Sequence, residues 1–303
     1  MIRDVLQELS DVEEQMACAD GQLFGQLSAR RLQLLHACAH LAAEDKVFLS
    51  RHARRPKIDA FISALFADFF EQRGDRQGKE DPSILGGIAL FHGRPVTVIG
   101  HRKGASLQEN MAYNFGMPGP EGYRKALRLM RQAEKFRRPI ITFIDTPGAY
   151  PGMEAESHGQ GEAIAACLAQ MSRLTVPVVT IVTGEGNSGG ALALSVADRL
   201  LMLENAYFAV LTPEGFASIL WKDASRRAEA CEVMKLTADD LLTFHIIDEI
   251  IREPLGGAQR DPQALYRTLD EAISRNLRAL CGVDGRELAA SRRQRYRQIG
   301  RAI

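Results

Sequence analysis

The sequence has no excess of charge of either sign, since its 303 residues carry 38 lysines and arginines against 38 aspartates and glutamates. A balanced chain has no overall field that would gather nucleic acid or an anionic membrane surface. Neither is therefore expected as a partner, and any anionic ligand must be held locally.

Cysteine is also scarce, and the five cysteines are an odd number, lie far apart and never form a CxxC pair. This spacing gives neither a disulfide framework nor a zinc ribbon, so no metal site is expected in the chain. Long apolar runs are missing too. Residues 1–19 lack the apolar stretch of a signal peptide, and no later segment approaches the roughly 18 residues of a membrane span. We therefore expect a cytoplasmic protein.

Apolar residues recur at helical spacing from residue 3 to about residue 45, with charged residues between them. This pattern predicts a helical arm. The arm either contacts a partner subunit or lies on its own domain, and the sequence does not separate the two. An aromatic-rich helix is predicted next, over Phe61, Leu65, Phe66, Phe69 and Phe70.

Short β-rich and helical segments alternate in the rest of the chain. Residues 87–92 and 95–100 flank Gly93 and predict a hairpin, and residues 123–136 predict an amphipathic helix that ends before Pro139. The later predicted strands are 140–145, 176–183, 200–203 and 208–211, and the predicted helices are 163–171, 191–197 and 217–221. This alternation predicts an α/β fold with parallel strands, whose ligand loops gather at the carboxyl ends.

Two loops rich in glycine follow predicted buried strands. The first, residues 145–152, combines two prolines with two glycines and predicts an irregular turn with exposed backbone amides. The second, residues 184–190, has four glycines and precedes a helix, whose free N–H groups and positive dipole end would face a ligand. Together the loops could form an oxyanion hole.

The second loop also matches two other motifs. Its glycines at 184, 186 and 189 have the spacing of a dinucleotide fingerprint, but too few helical residues separate them from the next predicted strand. Gly186, Ser188 and Gly190 match the nucleophile elbow of a serine hydrolase. The only downstream histidine is His245, for which a partly buried structural position is expected, and the upstream His158 is expected in an exposed loop. Backbone amides that polarise a carbonyl need no nucleophile and demand only glycines and a helix start.

Eight longer runs resemble the α subunits of bacterial acetyl-CoA carboxylase carboxyltransferases. They are residues 99–104, 114–130, 139–152, 171–174, 213–215, 217–222, 247–251 and 253–258. The resemblance covers roughly residues 55–300 and includes a basic tail around residues 292–297. It implies a crotonase-like (ClpP/crotonase) superhelix of short ββα units. The chain would divide into a helical arm (1–54), a carboxyltransferase domain (55–280) and a basic helical tail (281–303).

The family resemblance also implies partners and a reaction. Carboxybiotin, carried on a biotin carboxyl carrier protein and made by biotin carboxylase, gives its carboxyl group to the coenzyme A thioester acetyl-CoA. The product, malonyl-CoA, is the first committed intermediate of fatty-acid synthesis. A β subunit with a zinc ribbon would complete the site in an α2β2 assembly.

Carried over by position, the family's Gly-Gly pair is Gly189 and Gly190. The facing loop is residues 146–152, and from the crotonase scheme we infer a facing amide near Gly148 or Ala149. These four residues are the predicted catalytic groups. Lys103 is expected either to bind a phosphate or carboxylate or to be an exposed lysine, Asp145 to anchor its loop, and Glu185 to be a loop residue. The predicted biotin-binding residues are Pro147, Tyr150, Gly152, Gly184, Gly186, Ser188 and Lys103.

The sequence departs from the family pattern at a few positions. Asn187 stands where the family usually has glycine, Phe216 where it usually has cysteine, and residues 105–108 where a more basic run is common. The first 50 residues resemble the family only in being helical. A divergent carboxyltransferase that acts on another acyl-CoA therefore remains an alternative, as does a hydrolase that uses Ser188.

Overall fold

The computed structural model describes residues 2–301. It begins with two helices, α1 (Ile2–Met16) and α2 (Gly21–Ala37), that pack on each other around a small apolar cluster of Leu9, Val12 and Leu34. The predicted helical arm is thus a helical pair. The next helix, α3 (Ala43–Ser50), contributes to the main core instead. The division into arm, domain and tail stays a prediction.

Helix α4 (Ile58–Leu65) is shorter than the predicted aromatic helix. The chain turns extended at Phe66, and Phe69 and Phe70 lie on the first strand, β1 (Ala67–Glu71). The prediction was wrong here because aromatic residues also favour strands, and β1 finds a partner strand to pair with.

The predicted hairpin is confirmed. Strands β2 (Ile84–Phe91) and β3 (Arg94–His101) pair antiparallel in continuous register. His92 and Gly93 form the two-residue turn, both with positive φ, as the hairpin twist requires.

The remaining strands extend the sheet mostly in parallel, which confirms the α/β prediction. They are β4 (Ile140–Thr146), β5 (Val178–Asn187), β6 (Arg199–Leu203), β7 (Tyr207–Ala209) and β8 (Glu249–Ile251). The sheet order is β1-β2-β3-β4-β5-β6-β8, with β7 paired to the far end of β5. Every residue of β4 and β5 is buried, so these two central strands carry the core.

Helices connect and cover the strands. They are α5 (Leu107–Ala112), α6 (Pro120–Lys135), α7 (Met153–Ser157), α8 (Gln160–Met171), α9 (Ser188–Leu192), α10 (Pro213–Trp221), α11 (Arg227–Met234), α12 (Ala238–Thr243), α13 (Pro262–Leu280) and α14 (Gly285–Gln298). Proline occupies the first turn of α6, α10 and α13, where its missing N–H costs nothing. Among residues 2–301 no helix is both long and apolar enough to cross a membrane.

The glycine-rich segment after residue 183 differs from its prediction. Residues 184–187 belong to β5 rather than to a loop, because β7 pairs with them. Helix α9 begins at Ser188 and ends at Leu192, instead of covering residues 191–197. Since α9 has only five residues, the dipole expected at its start is small.

The last helix, α14, is anchored by a buried arginine. The guanidinium of Arg292 binds both carboxylate oxygens of Asp198 at 2.9 and 2.7 Å. It also donates to three backbone carbonyls, those of Met171, Leu174 and Val176. Part of the predicted basic tail is therefore inside the protein and holds the segment that follows α9.

Candidate active site

The two predicted loops meet at the carboxyl ends of β4 and β5. These strands are parallel neighbours, and Thr146 at the end of β4 stands beside Gly186 of β5. Residues 147–152 leave β4 at this edge, and α9 leaves β5 at the same edge. The sheet therefore brings together the segments that sequence reasoning paired.

Gly190 lies directly against the facing loop. A Cβ at this position would be 2.5 Å from the nitrogen of Ala149 and 2.8 Å from the carbonyl carbon of Gly148. Real Cβ atoms do not approach backbone this closely, so only glycine permits the contact. Gly190 is the third residue of α9, where N–H groups have no acceptor within the helix. By contrast, a Cβ at Gly189 would make ordinary contact with Ile164 at 3.5 Å.

Only one of the two predicted loop amides is available. The N–H of Gly148 donates to the hydroxyl of Thr146 at 3.0 Å, and the N–H of Tyr150 donates to the carbonyl of Pro118 at 3.0 Å. Between them, the N–H of Ala149 has no hydrogen-bond partner in the described part of the chain. Ala149, rather than Gly148, is therefore the amide that can pair with that of Gly190.

The rest of the loop is braced from α8. The amide of Gln160 donates to the carbonyl of Pro118 at 2.9 Å and to that of Tyr150 at 3.2 Å. The Tyr150 ring occupies the space that a side chain at Gly152 would need, yet remains 38% exposed. The predicted binding residues Pro147, Tyr150 and Gly152 thus form a fixed rim with an accessible aromatic face.

Gly184 and Gly186 have a packing role. A Cβ at Gly184 would be 2.4 Å from the carboxylate of Asp145, and one at Gly186 would be 2.4 Å from the ring of Phe208. The side chains of Asp145 and Phe208 therefore fill the space beside these two glycines. Because both lie within a buried strand, they also cannot form the strand-to-helix loop of a dinucleotide fingerprint.

A buried charge cluster lies behind the two loops. Lys103 donates to the carboxylates of Asp145 and Glu185 at 2.7 Å each, with its side chain only 10% exposed. Lys57 lies 3.6 Å from Asp145, whose carboxylate also accepts the N–H of Glu185 at 3.1 Å. Lys103 is therefore not the exposed lysine that was one expectation, and Glu185 is on a strand rather than in a loop. The anchoring role expected for Asp145 is present.

Ion pairing fixes the charges of this cluster. Burial alone raises the pKa of the Asp145 carboxyl, but the positive charges of Lys103 and Lys57 outweigh it and hold that pKa well below its usual range. Burial also raises the pKa of the Glu185 carboxyl, but the positive charges of Lys103 and Arg51 outweigh it, so this pKa is lowered as well. Both carboxylates are ionised and occupied, so neither is available as a general base at neutral pH.

Sequence reasoning missed the outer part of this cluster. Arg51 binds Glu185 at 2.7 Å, donates to the hydroxyl of Tyr207 at 3.0 Å and pairs with Glu214 through two hydrogen bonds. Asn187 donates to the same hydroxyl at 2.9 Å. Asn187, which departs from the family pattern, therefore joins the start of α9 to the charge cluster. No local pattern marks Arg51, because its partners are more than 130 residues away.

The requirements of a serine hydrolase are only partly met. Ser188 is exposed and has φ +57°, a left-handed backbone suited to an elbow. However, no histidine or carboxylate of residues 2–301 is hydrogen bonded to its hydroxyl. His245 is exposed at the end of α12 rather than partly buried, and the exposed His158 contacts Glu121 at 3.2 Å. A nucleophile without a base is inactive, so nothing favours the hydrolase alternative.

A fluorophosphonate probe is therefore expected to leave Ser188 unmodified. Without a base to remove its proton, the hydroxyl is no more reactive than any surface serine. Ser188→Ala should lower activity by less than about tenfold, whereas removing a triad serine costs many orders of magnitude. Mass spectrometry of the probe-treated protein checks the first expectation, and stoichiometric labelling at Ser188 would overturn it.

Two buried polar side chains, Tyr123 and His101, lie near Gly190. The hydroxyl of Tyr123 would be 2.9 Å from a Cβ at Gly190 and has no hydrogen-bond partner among the described residues. The imidazole of His101 lies near the backbone of Gly190 and of Phe143. Burial lowers the pKa of His101 to about 4 and raises that of Tyr123. Both groups are therefore neutral near pH 7, next to the charged cluster of Lys103 and Asp145.

His101 makes the fold sensitive to mild acid. In the unfolded chain the imidazole of His101 has a pKa near 6.5, so the unfolded state binds a proton as the pH falls through this value. In the folded state the same group binds a proton only near pH 4. Stability is therefore complete above pH 6.5 and declines below it, by about 2 kcal/mol at pH 5 from this residue. Urea titrations at pH 8 and pH 5 should show a smaller difference for His101→Asn than for the wild type. An unchanged difference would contradict the assignment.

The model of the acetyl co-enzyme A carboxylase carboxyltransferase-like family matches residues 1–300. The chain belongs to this family. Relatives named as the α subunit of acetyl-coenzyme A carboxylase carboxyl transferase include one from Geobacillus kaustophilus, 50% identical over 98% of this chain and 93% of its own length. Another, from Listeria monocytogenes, is 48% identical over 99% of this chain and 95% of its own length.

Two solved structures share the fold of this chain. Transcarboxylase 12S superposes with a TM-score of 0.55 at 21% identity, over 71% of this chain and 41% of its own. The β subunit of Pseudomonas aeruginosa geranyl-CoA carboxylase gives a TM-score of 0.58 at 16% identity, over 80% of this chain and 46% of its own. The fold is therefore the crotonase-like one that the family resemblance implied.

Within residues 2–301, this chain has no group of three or more His, Cys, Asp or Glu side chains that could hold a metal ion. Its five cysteines are free thiols, and none is paired with another.

Proposed function

We propose that this chain is the α subunit of an acetyl-CoA carboxylase carboxyltransferase, and that it holds carboxybiotin while the carboxyl group passes to acetyl-CoA to form malonyl-CoA. The observation that supports this is the contact of Gly190 with the backbone of Ala149, which brings two amides together at one edge of the sheet. Such a pair of donors suits a carbonyl oxygen on which negative charge develops.

The residues present fit the ureido carbonyl of biotin. The backbone at Gly190 admits no side chain, and the N–H of Ala149 beside it has no hydrogen-bond partner among the described residues, so it can donate to a carbonyl oxygen. Carboxybiotin supplies the carboxyl group. The amides of Ala149 and Gly190 would donate to the ureido oxygen and stabilise negative charge there. Because both belong to braced backbone, they do not reorganise during the reaction.

The other site residues hold this arrangement. Tyr150 and Ser188 form the rim, where an exposed ring and an exposed hydroxyl can contact the bicyclic ring of biotin. The cluster around Lys103 keeps the ends of β4 and β5 at a fixed separation. No base is required of this chain, in keeping with the paired state of Asp145 and Glu185.

The proposal includes partners. Biotin arrives on a biotin carboxyl carrier protein after its carboxylation by biotin carboxylase, and a β subunit supplies the acetyl-CoA side of the site in an α2β2 assembly. The family membership and the α-subunit names of the relatives support this arrangement. The cytoplasmic location stays a prediction. Another acyl-CoA acceptor is the second candidate, favoured only by the departures from the family pattern at Asn187, Phe216 and residues 105–108.

Carboxyl transfer should require both subunits. We expect the purified chain alone to transfer no carboxyl group from carboxybiotin to acetyl-CoA, and its mixture with a β subunit to do so, because the acyl-CoA half of the site is supplied by the partner. Malonyl-CoA formation measures this, with propionyl-CoA as a parallel acceptor to detect altered specificity. Robust transfer by the isolated chain would contradict the shared site.

A further inference from the structure

The hydroxyl of Thr146 makes two hydrogen bonds to one residue of the facing loop. It donates to the carbonyl oxygen of Gly148 at 2.8 Å and accepts the N–H of the same residue at 3.0 Å. Thr146 is the last residue of β4 and is fully buried. The central strand therefore holds Gly148 through a short, β-branched and conformationally stiff side chain.

This contact sets the direction of the next N–H. The peptide between Gly148 and Ala149 is planar and trans, so its C=O and N–H point in opposite directions. Because the carbonyl of Gly148 is turned toward Thr146, the N–H of Ala149 is turned away from it. The unpartnered N–H of Ala149 is thus oriented by a hydroxyl that contacts the opposite edge of the same peptide group.

Gly148 itself has no side chain to hold that plane. Its φ of +141° lies in a region open only to glycine, and a Cβ there would meet no atom within 4 Å. Glycine rotates with little steric restraint, whereas the preceding Pro147 is fixed by its ring. Gly148 is therefore the hinge of the loop, and Thr146 is its restraint.

We propose that Thr146 is a positioning residue that aims the amide of Ala149 into the oxyanion hole. The inference rests on the proposed function, since it assigns Thr146 a role in the same carboxyl transfer. It predicts a role for the hydroxyl that is separate from the volume of the side chain.

Thr146→Val removes the hydroxyl and keeps the shape. In the α–β complex we expect kcat to fall by about tenfold to a hundredfold, because misaiming one donor weakens stabilisation of the transition state. KM for acetyl-CoA should stay unchanged. Thr146→Ser restores the hydroxyl and should recover kcat to within about threefold of the wild type. If the valine variant does not assemble, Thr146→Ala tests the same loss with a smaller side chain.

Thr142→Val is the matched control. Thr142 lies four residues earlier on β4, is buried, and donates a hydrogen bond from its hydroxyl to the carbonyl of Leu194 at 2.8 Å. Its loss should lower stability and leave kcat unchanged. A wild-type complex without transfer overturns the proposed function and this inference with it. If the wild type transfers the carboxyl group and Thr146→Val is equally active, this inference alone is overturned. The same holds if a folded Thr146→Ser is as slow as Thr146→Val.

Discussion

Replacing Gly190 with alanine is expected to lower the rate of carboxyl transfer by about two to three orders of magnitude. The new Cβ would lie 2.5 Å from the nitrogen of Ala149, and backbone rather than a flexible side chain stands in its way. The two segments must separate, which misplaces both proposed donors at once. Valine at this position should abolish transfer, since its branches add to the same collision.

The loss should be confined to the site. Gly161→Ala, in helix α8, makes the same chemical change where a Cβ would meet no atom within 4 Å, and it should leave activity unchanged. Circular dichroism and co-purification with a β subunit separate a damaged site from a damaged protein. If a Gly190→Ala variant folds, assembles and transfers the carboxyl group at the wild-type rate, the contact of Gly190 with the facing loop has no role in catalysis.

Replacing Arg292 with methionine is expected to destabilise the fold by about 3 to 5 kcal/mol. The change leaves the buried Asp198 carboxylate without its cation and three backbone carbonyls without their donor. Urea unfolding measures the loss. Arg292→Lys should recover only part of it, because an ammonium cannot reproduce the bidentate contact.

Arg293→Ala is the control for charge in the same helix. Arg293 is exposed, so its removal should change the free energy of unfolding by less than about 0.5 kcal/mol. If Arg292→Met were equally mild, the buried contacts of Arg292 would not anchor α14.

Local patterns predicted most of the fold. The hairpin around Gly93 and the parallel strands β4 to β6 follow from alternation, turn residues and helical spacing, which need no distant partner. The continuation of β5 through residues 184–187 was missed because its glycines are typical of a loop. They are required instead by Asp145 and Phe208, whose side chains fill the space beside them.

The candidate site was predicted less completely, for a related reason. Family resemblance paired Gly190 with the facing loop, but the choice of Ala149 over Gly148 depends on the hydroxyl of Thr146. In the charge cluster, Lys103 alone contacts Asp145, which is 42 positions away in the sequence, and Glu185, which is 82 positions away. Contacts over such separations leave no periodic trace in the sequence, so single-residue motifs could not reveal them.

The most direct test of the proposed site is a crystal structure of the α–β complex with biocytin. We expect the ureido oxygen to lie about 2.7 to 3.1 Å from the nitrogens of both Ala149 and Gly190. The bicyclic ring should then rest against Tyr150. A ureido oxygen held by side chains alone, or a biotin bound away from the ends of β4 and β5, would contradict the oxyanion hole.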